Sequence, residues 1–271
     1  MVHNSFIEVA AKRSKNLELE SAGQRTLNPV RKMPTGIRGF DYGIGGGLPD
    51  KALYLTLGEP GSSHQLFVLQ TLFNRVVSKG TVSYFTVESS SLDLIEDMAT
   101  FQWGVEKYMD DASWLFQGVR TPELQKLSEL KTENPLEKPI NVSSASLDGL
   151  KAELLVRVKE GRWTALGLSY LLLHYELSVV VDLILYWLST VRTFGGVHFV
   201  VLSNGIHDPR HVSLIRELVD GVIGFSIAPK RGEIGGTLTI EKMRRTLVKS
   251  RVFEYVLLEQ GISIETAQRI A

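Results

Sequence analysis

The 271-residue chain has no cysteine, which excludes a disulfide framework, a thiolate metal site and a cysteine nucleophile. It has no charge imbalance either: 30 Lys+Arg face 30 Asp+Glu, so no global field draws it to nucleic acid or to an anionic membrane. Long apolar runs are missing too. The densest stretch, Trp163 to Val191, is interrupted by His174, Glu176 and Asp182. That argues against a transmembrane span and for a buried strand followed by a helix covered on two sides. Charges come early between Met1 and Lys15 and no apolar leader follows, so no signal peptide is expected. The triplet Asn141-Val142-Ser143 is therefore discounted as a glycosylation site. Missing cysteine and missing leader fit a cytoplasmic protein, and the avoidance of thermolabile residues fits a hot-living source. No internal repeat is found, which leaves one copy of one domain.

The sequence does hold an alternation of strand-like and helix-like segments. Strand patterns fall at Ala52–Leu57, Thr81–Val87, Ala112–Phe116, Trp163–Leu168, Val197–Leu202 and Gly221–Ile227. Helix patterns lie between them, at Leu66–Lys79, Leu92–Phe101, Leu147–Val158, Ser178–Val191 and His211–Leu218. Such alternation predicts βαβ units and an α/β fold with a mainly parallel central sheet flanked by helices. Beyond Lys230 short strands follow at Gly236–Glu241, Val252–Leu258 and Ile262–Ile264, predicting an antiparallel C-terminal edge. Residues 1–33 are polar and weakly periodic, an N-terminal extension with a helix expected around Phe6–Ala11. Residues 34–271 form the single domain, with Thr121–Pro139 as a charged surface loop.

Between the first strand and the first helix stands Gly58-Glu59-Pro60-Gly61-Ser62-Ser63-His64-Gln65. Strand, glycine-rich turn and helix are the setting of a phosphate-binding loop, G-x-x-x-x-G-K-[ST]. Gly58 and Gly61 keep glycine, but the second motif glycine is Ser63, the lysine is His64 and the hydroxyl residue is Gln65. In a working loop the lysine bridges the β- and γ-phosphates and the hydroxyl holds magnesium. A neutral histidine supplies no such charge, and an amide oxygen is a poor ligand for a metal that demands octahedral geometry. By analogy with oxyanion donors, one lost stabiliser costs roughly 3–4 kcal/mol. The expectation is an ATPase scaffold without ATPase chemistry, with ATP and magnesium doubtful and no other cofactor.

The motifs together resemble the KaiC-like branch of the RecA superfamily, which also includes archaeal RadA paralogues. Thr35-Gly36-Ile37-Arg38-Gly39-Phe40-Asp41 is similar to that family's T-G-I-x-G-[LF]-D opening. Gly45-Gly46-Gly47-Leu48-Pro49 is similar to its G-G-G-[IL]-P, Phe101-Gln102-Trp103-Gly104 to its F-G-W segment, and Lys242-Met243-Arg244 to its K-M-R element. The resemblance covers roughly residues 35–265 and implies a RecA-like P-loop NTPase fold. It also implies three lost parts: the phosphate-binding loop, the Walker B aspartate, with Leu166 in its place, and one of two paired glutamates. Glu88 survives as a vestigial base beside Ser89. In the family the K-M-R side chains reach a neighbouring subunit's nucleotide, which makes Lys242 and Arg244 candidates for an interface in trans. The implied partners are a second copy of the chain or an active RecA/KaiC-like paralogue.

Other features carry less. Lys230, Arg231, Lys242, Arg244, Arg245, Lys249 and Arg251 form a basic C-terminal segment. It reads either as a solvated strand pair or as a single-stranded DNA contact, though no aromatic interleaves it. His207 and His211 have metal-pair spacing, but Pro209 lies between them, so no metal is expected. His174 reads as a hydrogen-bonded core histidine. Tyr170, Tyr175, Tyr186 and Trp187 read as core or oligomer contacts rather than a cofactor box.

Overall fold

The computed structural model describes residues 30–87, 90–121, 140–143, 145–228 and 234–264. The chain divides into two units, 1–30 and 31–271, and the elements below belong to the second. The helix expected around Phe6–Ala11 and all of the loop before Pro139 except Thr121 lie outside the described residues.

A small antiparallel ladder, β1 (Lys32–Met33) with β2 (Leu48–Pro49), brackets a short helix, α1 (Arg38–Gly43). The sequence reading placed only a glycine-rich loop here, with its domain boundary one residue beyond β1. The helix is set by Asp41, whose carboxylate accepts from Thr35 N–H (2.9 Å), Thr35 O–H (2.9 Å) and Gly36 N–H (3.0 Å).

Then come β3 (Ala52–Gly58), α2 (His64–Val77), β4 (Val82–Thr86), α3 (Ser91–Thr100), α4 (Glu106–Asp110) and β5 (Trp114–Arg120). Beyond them lie β6 (Ile140–Asn141), α5 (Asp148–Lys159), β7 (Trp163–Gly167), α6 (Ser169–His174), α7 (Leu177–Phe194) and β8 (Val197–Ser203). The chain continues through α8 (Pro209–Leu218), β9 (Gly221–Ile227), β10 (Gly235–Met243), β11 (Val252–Leu258) and β12 (Gly261–Ile264).

Among the described residues these strands form one ten-stranded sheet in the order β12-β11-β10-β9-β3-β8-β7-β4-β5-β6. From β9 to β6 every neighbouring pair is parallel; β10, β11 and β12 close the other side antiparallel. The expected fold class is therefore the observed one.

Strand periodicity divides the interior into two cores. On β3, Ala52 and Tyr54 join Phe67, Leu72 and Met98 under α2 and α3, whereas Leu53, Leu55 and Leu57 join Leu150, Leu183 and Trp187 under α5 and α7. Every residue of β3 and β4 is buried, as expected for parallel strands covered on both faces. The helix α7 is the one described helix long and apolar enough to cross a membrane. Its Val180, Leu183, Ile184, Trp187, Leu188 and Val191 pack into the second core.

Several local expectations are corrected. The strand assigned to Ala112–Phe116 is shifted to Trp114–Arg120, paired with β4 from Val82↔Trp114 onward. The turn after β7 is a helix, α6. His174 on that helix is exposed and stacks on Tyr170, ring centroids 4.0 Å apart, because its face of α6 points away from the sheet.

Candidate functional site

The glycine-rich loop lies at the C-terminal end of β3, where a parallel sheet opens its ligand crevice. Its backbone passes through two left-handed residues. Gly61 has φ 85° and Ser63 φ 59°, so serine occupies the left-handed conformation that glycine adopts more readily. Ser62 N–H closes a turn on the Glu59 carbonyl (2.9 Å), and the Tyr255 hydroxyl donates to the Ser62 carbonyl (2.5 Å). The helix starts at His64, two residues before the sequence reading placed it.

The side chains turn inward. Ser62 is fully buried, and its Oγ lies 3.2 Å from His64 Nδ1. The imidazole folds back over the start of the loop. A Cβ on Gly58 would sit 2.2 Å from Ser62 Oγ and 2.7 Å from the His64 ring, so the first glycine is required by these two side chains. Burial pushes the His64 pKa down to about 4, and the ring is neutral near pH 7. The position that would carry the fixed positive charge of a lysine carries none.

Next to it is a cleft of about 70 Å³ whose lining includes His64, Gln65, Tyr84, Thr86, Gly167 and Ser169. Ser169 Oγ accepts from Ser203 N–H (3.0 Å) and ties the ends of β7 and β8 together. Apart from neutral His64, no described residue lining the cleft is ionisable in the range of a carboxylate or an ammonium. Among the described residues no group of three His, Asp or Glu could hold a metal ion. Among the described residues, the lining thus offers phosphate no cation and magnesium no carboxylate.

Leu166 was assigned the place of the Walker B aspartate, and the structure corrects this. Leu166 points into the core beneath α5 and α7, while the next residue, Gly167, faces the cleft. Side chains alternate along a strand, so Gly167 is the position from which a carboxylate would reach the loop. A Cβ there would meet nothing within 4 Å.

The remaining candidates are scattered. Glu88 and Ser89 lie outside the described residues, as do Lys230 and Arg231. Lys242 serves its own chain: its Nζ donates to the carbonyls of Arg216 (3.0 Å) and Glu217 (2.6 Å) at the end of α8. Arg244 is exposed and stands 3.9 Å from Glu217. His207 and His211 flank the start of α8, where Asp208 caps the helix through Arg210 N–H. Trp187 is core, and Tyr175 donates to the Ser143 carbonyl (2.8 Å). The cleft residues Tyr84, Thr86, Ser169 and Ser203 escaped the sequence reading, since single polar residues at strand ends make no motif.

A glycine-rich loop between a parallel strand and a helix, in a sheet of this order, fits an α/β P-loop NTPase fold. Residues 33–159 match the family described as "ATPase: KaiC". A UPF0273 protein of Pyrococcus furiosus is 23% identical over 240 residues, 87% of this chain and 94% of the relative. The circadian clock oscillator protein KaiC of Prochlorococcus marinus is 24% identical over 253 residues, 92% of this chain but 48% of KaiC. The chain thus spans about half of that relative. The crystal structure of a KaiC-like protein from Pyrococcus horikoshii superposes with a TM-score of 0.67 at 20% identity, covering 88% of this chain and 100% of the other. The chain is thus similar to KaiC-like proteins over most of its length, with the KaiC ATPase match confined to residues 33–159.

Proposed function

We propose that this KaiC/RecA-like ATPase homologue is a pseudo-ATPase of the KaiC/RadA-paralogue type, acting in the cytoplasm as a regulatory or assembly subunit. One observation carries the reading: His64, in the lysine position, is buried, neutral and folded onto Gly58. The bare Gly167 supports it, because nothing there orients a magnesium-bound water. Such a subunit acts through its surface, by pairing with a second copy or with an active paralogue. Arg244, solvated and loosely paired, is the side chain free to reach across that contact; Lys242 is held in cis.

Thermal unfolding with and without millimolar ATP and magnesium tests the reading, since a ligand of the folded state raises the midpoint by mass action. An unchanged midpoint is expected. A clear magnesium-dependent rise would overturn it.

A second reading has one observation in its favour: Gly61 and Ser63 give the loop two left-handed residues, and the N-terminal N–H groups of a helix favour an anion. On this reading the chain binds nucleotide weakly. Magnesium-dependent phosphate release above that of a Glu88→Gln control would favour divergent catalysis; equal background would leave binding only.

A further inference from the structure

The N-terminal edge of the sheet, opposite the cleft, holds a cation that no acid claims. Arg75 lies near the end of α2, and its guanidinium sits 5.0 Å from the ring centroid of Trp163 at the start of β7. The helix ends in a turn in which Gly80 N–H donates to the Arg75 carbonyl (2.9 Å). A Cβ on Gly80 would stand 2.1 Å from Arg75 Nε, so the glycine leaves the space in which this side chain lies. Nε is buried and has no hydrogen-bond partner. Among the described residues no ion pair or hydrogen bond engages the two Nη groups either, and these, unlike Nε, reach water.

Two other charges act on Arg75. Burial and, after it, Arg31 push the Arg75 pKa down; Asp50 pushes it up and is the smaller effect. Asp50 is committed to the backbone, its Oδ1 accepting from Gly196 N–H (2.7 Å) and Lys51 N–H (2.8 Å). Arg31 is held at the same corner, since its carbonyl accepts from Asp50 N–H (2.9 Å), and it is exposed. Among the described residues Asp50 forms no ion pair with either arginine. A partly buried guanidinium without an acceptor is costly, and a second cation at the same corner adds to that cost. An oxyanion offsets both.

We propose that this corner binds the phosphate group of a small molecule, with Arg75 as the anchoring fork and Arg31 as the second cation. A planar guanidinium matches two oxygens at once. Two guanidinium groups engage three oxygens, which a phosphate monoester has and a carboxylate lacks. Trp163 is buried and has no free face for a nucleic-acid base. Val77 is the exposed apolar side chain on the last turn of α2, too little to insert into a lipid surface. The cleft, at the other end of α2, plays no part in this site.

Isothermal titration calorimetry of the full chain with inorganic phosphate, at fixed ionic strength and about pH 8, where phosphate is dianionic, tests it. Saturable binding at about millimolar concentration or tighter is expected, with acetate much weaker. R75Q should weaken it about 10- to 150-fold, the range for a charge-assisted hydrogen bond, and R31Q about 2- to 5-fold, as for a solvated cation. D50N keeps an oxygen for the Gly196 and Lys51 N–H groups but loses the competing charge, and should tighten binding about 2- to 5-fold. G167D, which puts a carboxylate in the cleft, should leave the affinity unchanged. Urea midpoints show which variants fold; should R75Q not fold, R31Q and D50N still move the affinity in opposite directions. No saturable phosphate binding overturns the proposal. So does a larger loss in G167D than in R75Q, acetate binding as tightly as phosphate, or a preference for phosphatidate vesicles or an oligonucleotide over free phosphate.

Discussion

Two loops of this molecule treat charge in opposite ways. The glycine-rich loop after β3 turns Ser62 and His64 inward, and its one titratable motif side chain inside the cleft, His64, is held neutral. The loop after β10 is fastened just as firmly, by Gly43 and Lys32, yet keeps Arg244, Lys249 and Arg251 in water. Burial accounts for the difference. A cation in the cleft needs a phosphate or a carboxylate to offset its desolvation, and with Gly167 bare the described lining has none. A cation on an exposed loop is solvated without a partner. Charge is missing from the described lining of the cleft and present on the exposed loop.

The comparison can be broken first at β7. Leu166→Asp places a carboxylate in the apolar core under α5 and α7 and should cost more than about 4 kcal/mol, enough to abolish soluble folding. Gly167→Asp, one residue on, should cost less than about 1 kcal/mol, because its side chain enters open space in the cleft. Equal losses in urea unfolding would mean that Gly167 does not face the cleft.

The next effect is on pH. His64 and the fully buried His198 both have pKa values pushed down to about 4 by burial. His198 is fixed as a neutral ring: Nδ1 accepts from Thr164 N–H (3.2 Å), and Nε2 faces the Gly195 carbonyl (3.0 Å). Their unfolded values lie near 6.5, so the unfolded chain binds the extra protons. Stability is therefore full above about pH 6.5 and falls as pH drops toward 4, by on the order of 3 kcal/mol per histidine. His64→Gln should remove its share of this slope in denaturant midpoints measured between pH 7 and 4.5. Changes in the basic loop should leave the slope intact, since arginine and lysine do not titrate there. A slope unchanged in His64→Gln would show that the ring is not buried as described.

Gly58→Ala comes third. The added methyl meets Ser62 Oγ and the His64 ring and should cost about 1–3 kcal/mol, a fall of roughly 2–4 °C per kcal/mol in the melting midpoint. Adding His64→Ala should recover part of the loss, because the ring vacates the space. Full additivity of the two changes would separate Gly58 from His64. The smallest effect distinguishes the two K-M-R residues: Lys242→Met should lose about 1 kcal/mol by uncapping α8, and Arg244→Ala less than about 0.5 kcal/mol.

The α/β class, the main alternation of strands and helices and the antiparallel edge were legible, because strand and helix periods survive in any sequence that packs a two-faced sheet; the short elements β1, β2, β6, α1, α4 and α6 were not. Element ends were less so: α2 begins at His64 because the loop's left-handed Ser63 launches it, which no apolar period records. At the site, the glycine loop stood out as a motif. The cleft face of β7 did not, since Leu166 and Gly167 are equally plausible by alignment to a motif and only the side of the sheet they face separates them. His174 was read as core from its apolar neighbours, and the pitch of a six-residue helix put it outside.

By itself, then, the sequence determined the architecture and the absence of a lysine, a hydroxyl residue and an aspartate from the nucleotide motifs, since those follow from residue identity and local period. The tertiary structure alone decided that His64 is neutral, that Gly167 faces the cleft and that the Arg75 guanidinium lies over Trp163. Burial, facing and proximity between residues far apart in the chain are properties of how the chain is packed, and no local pattern encodes them.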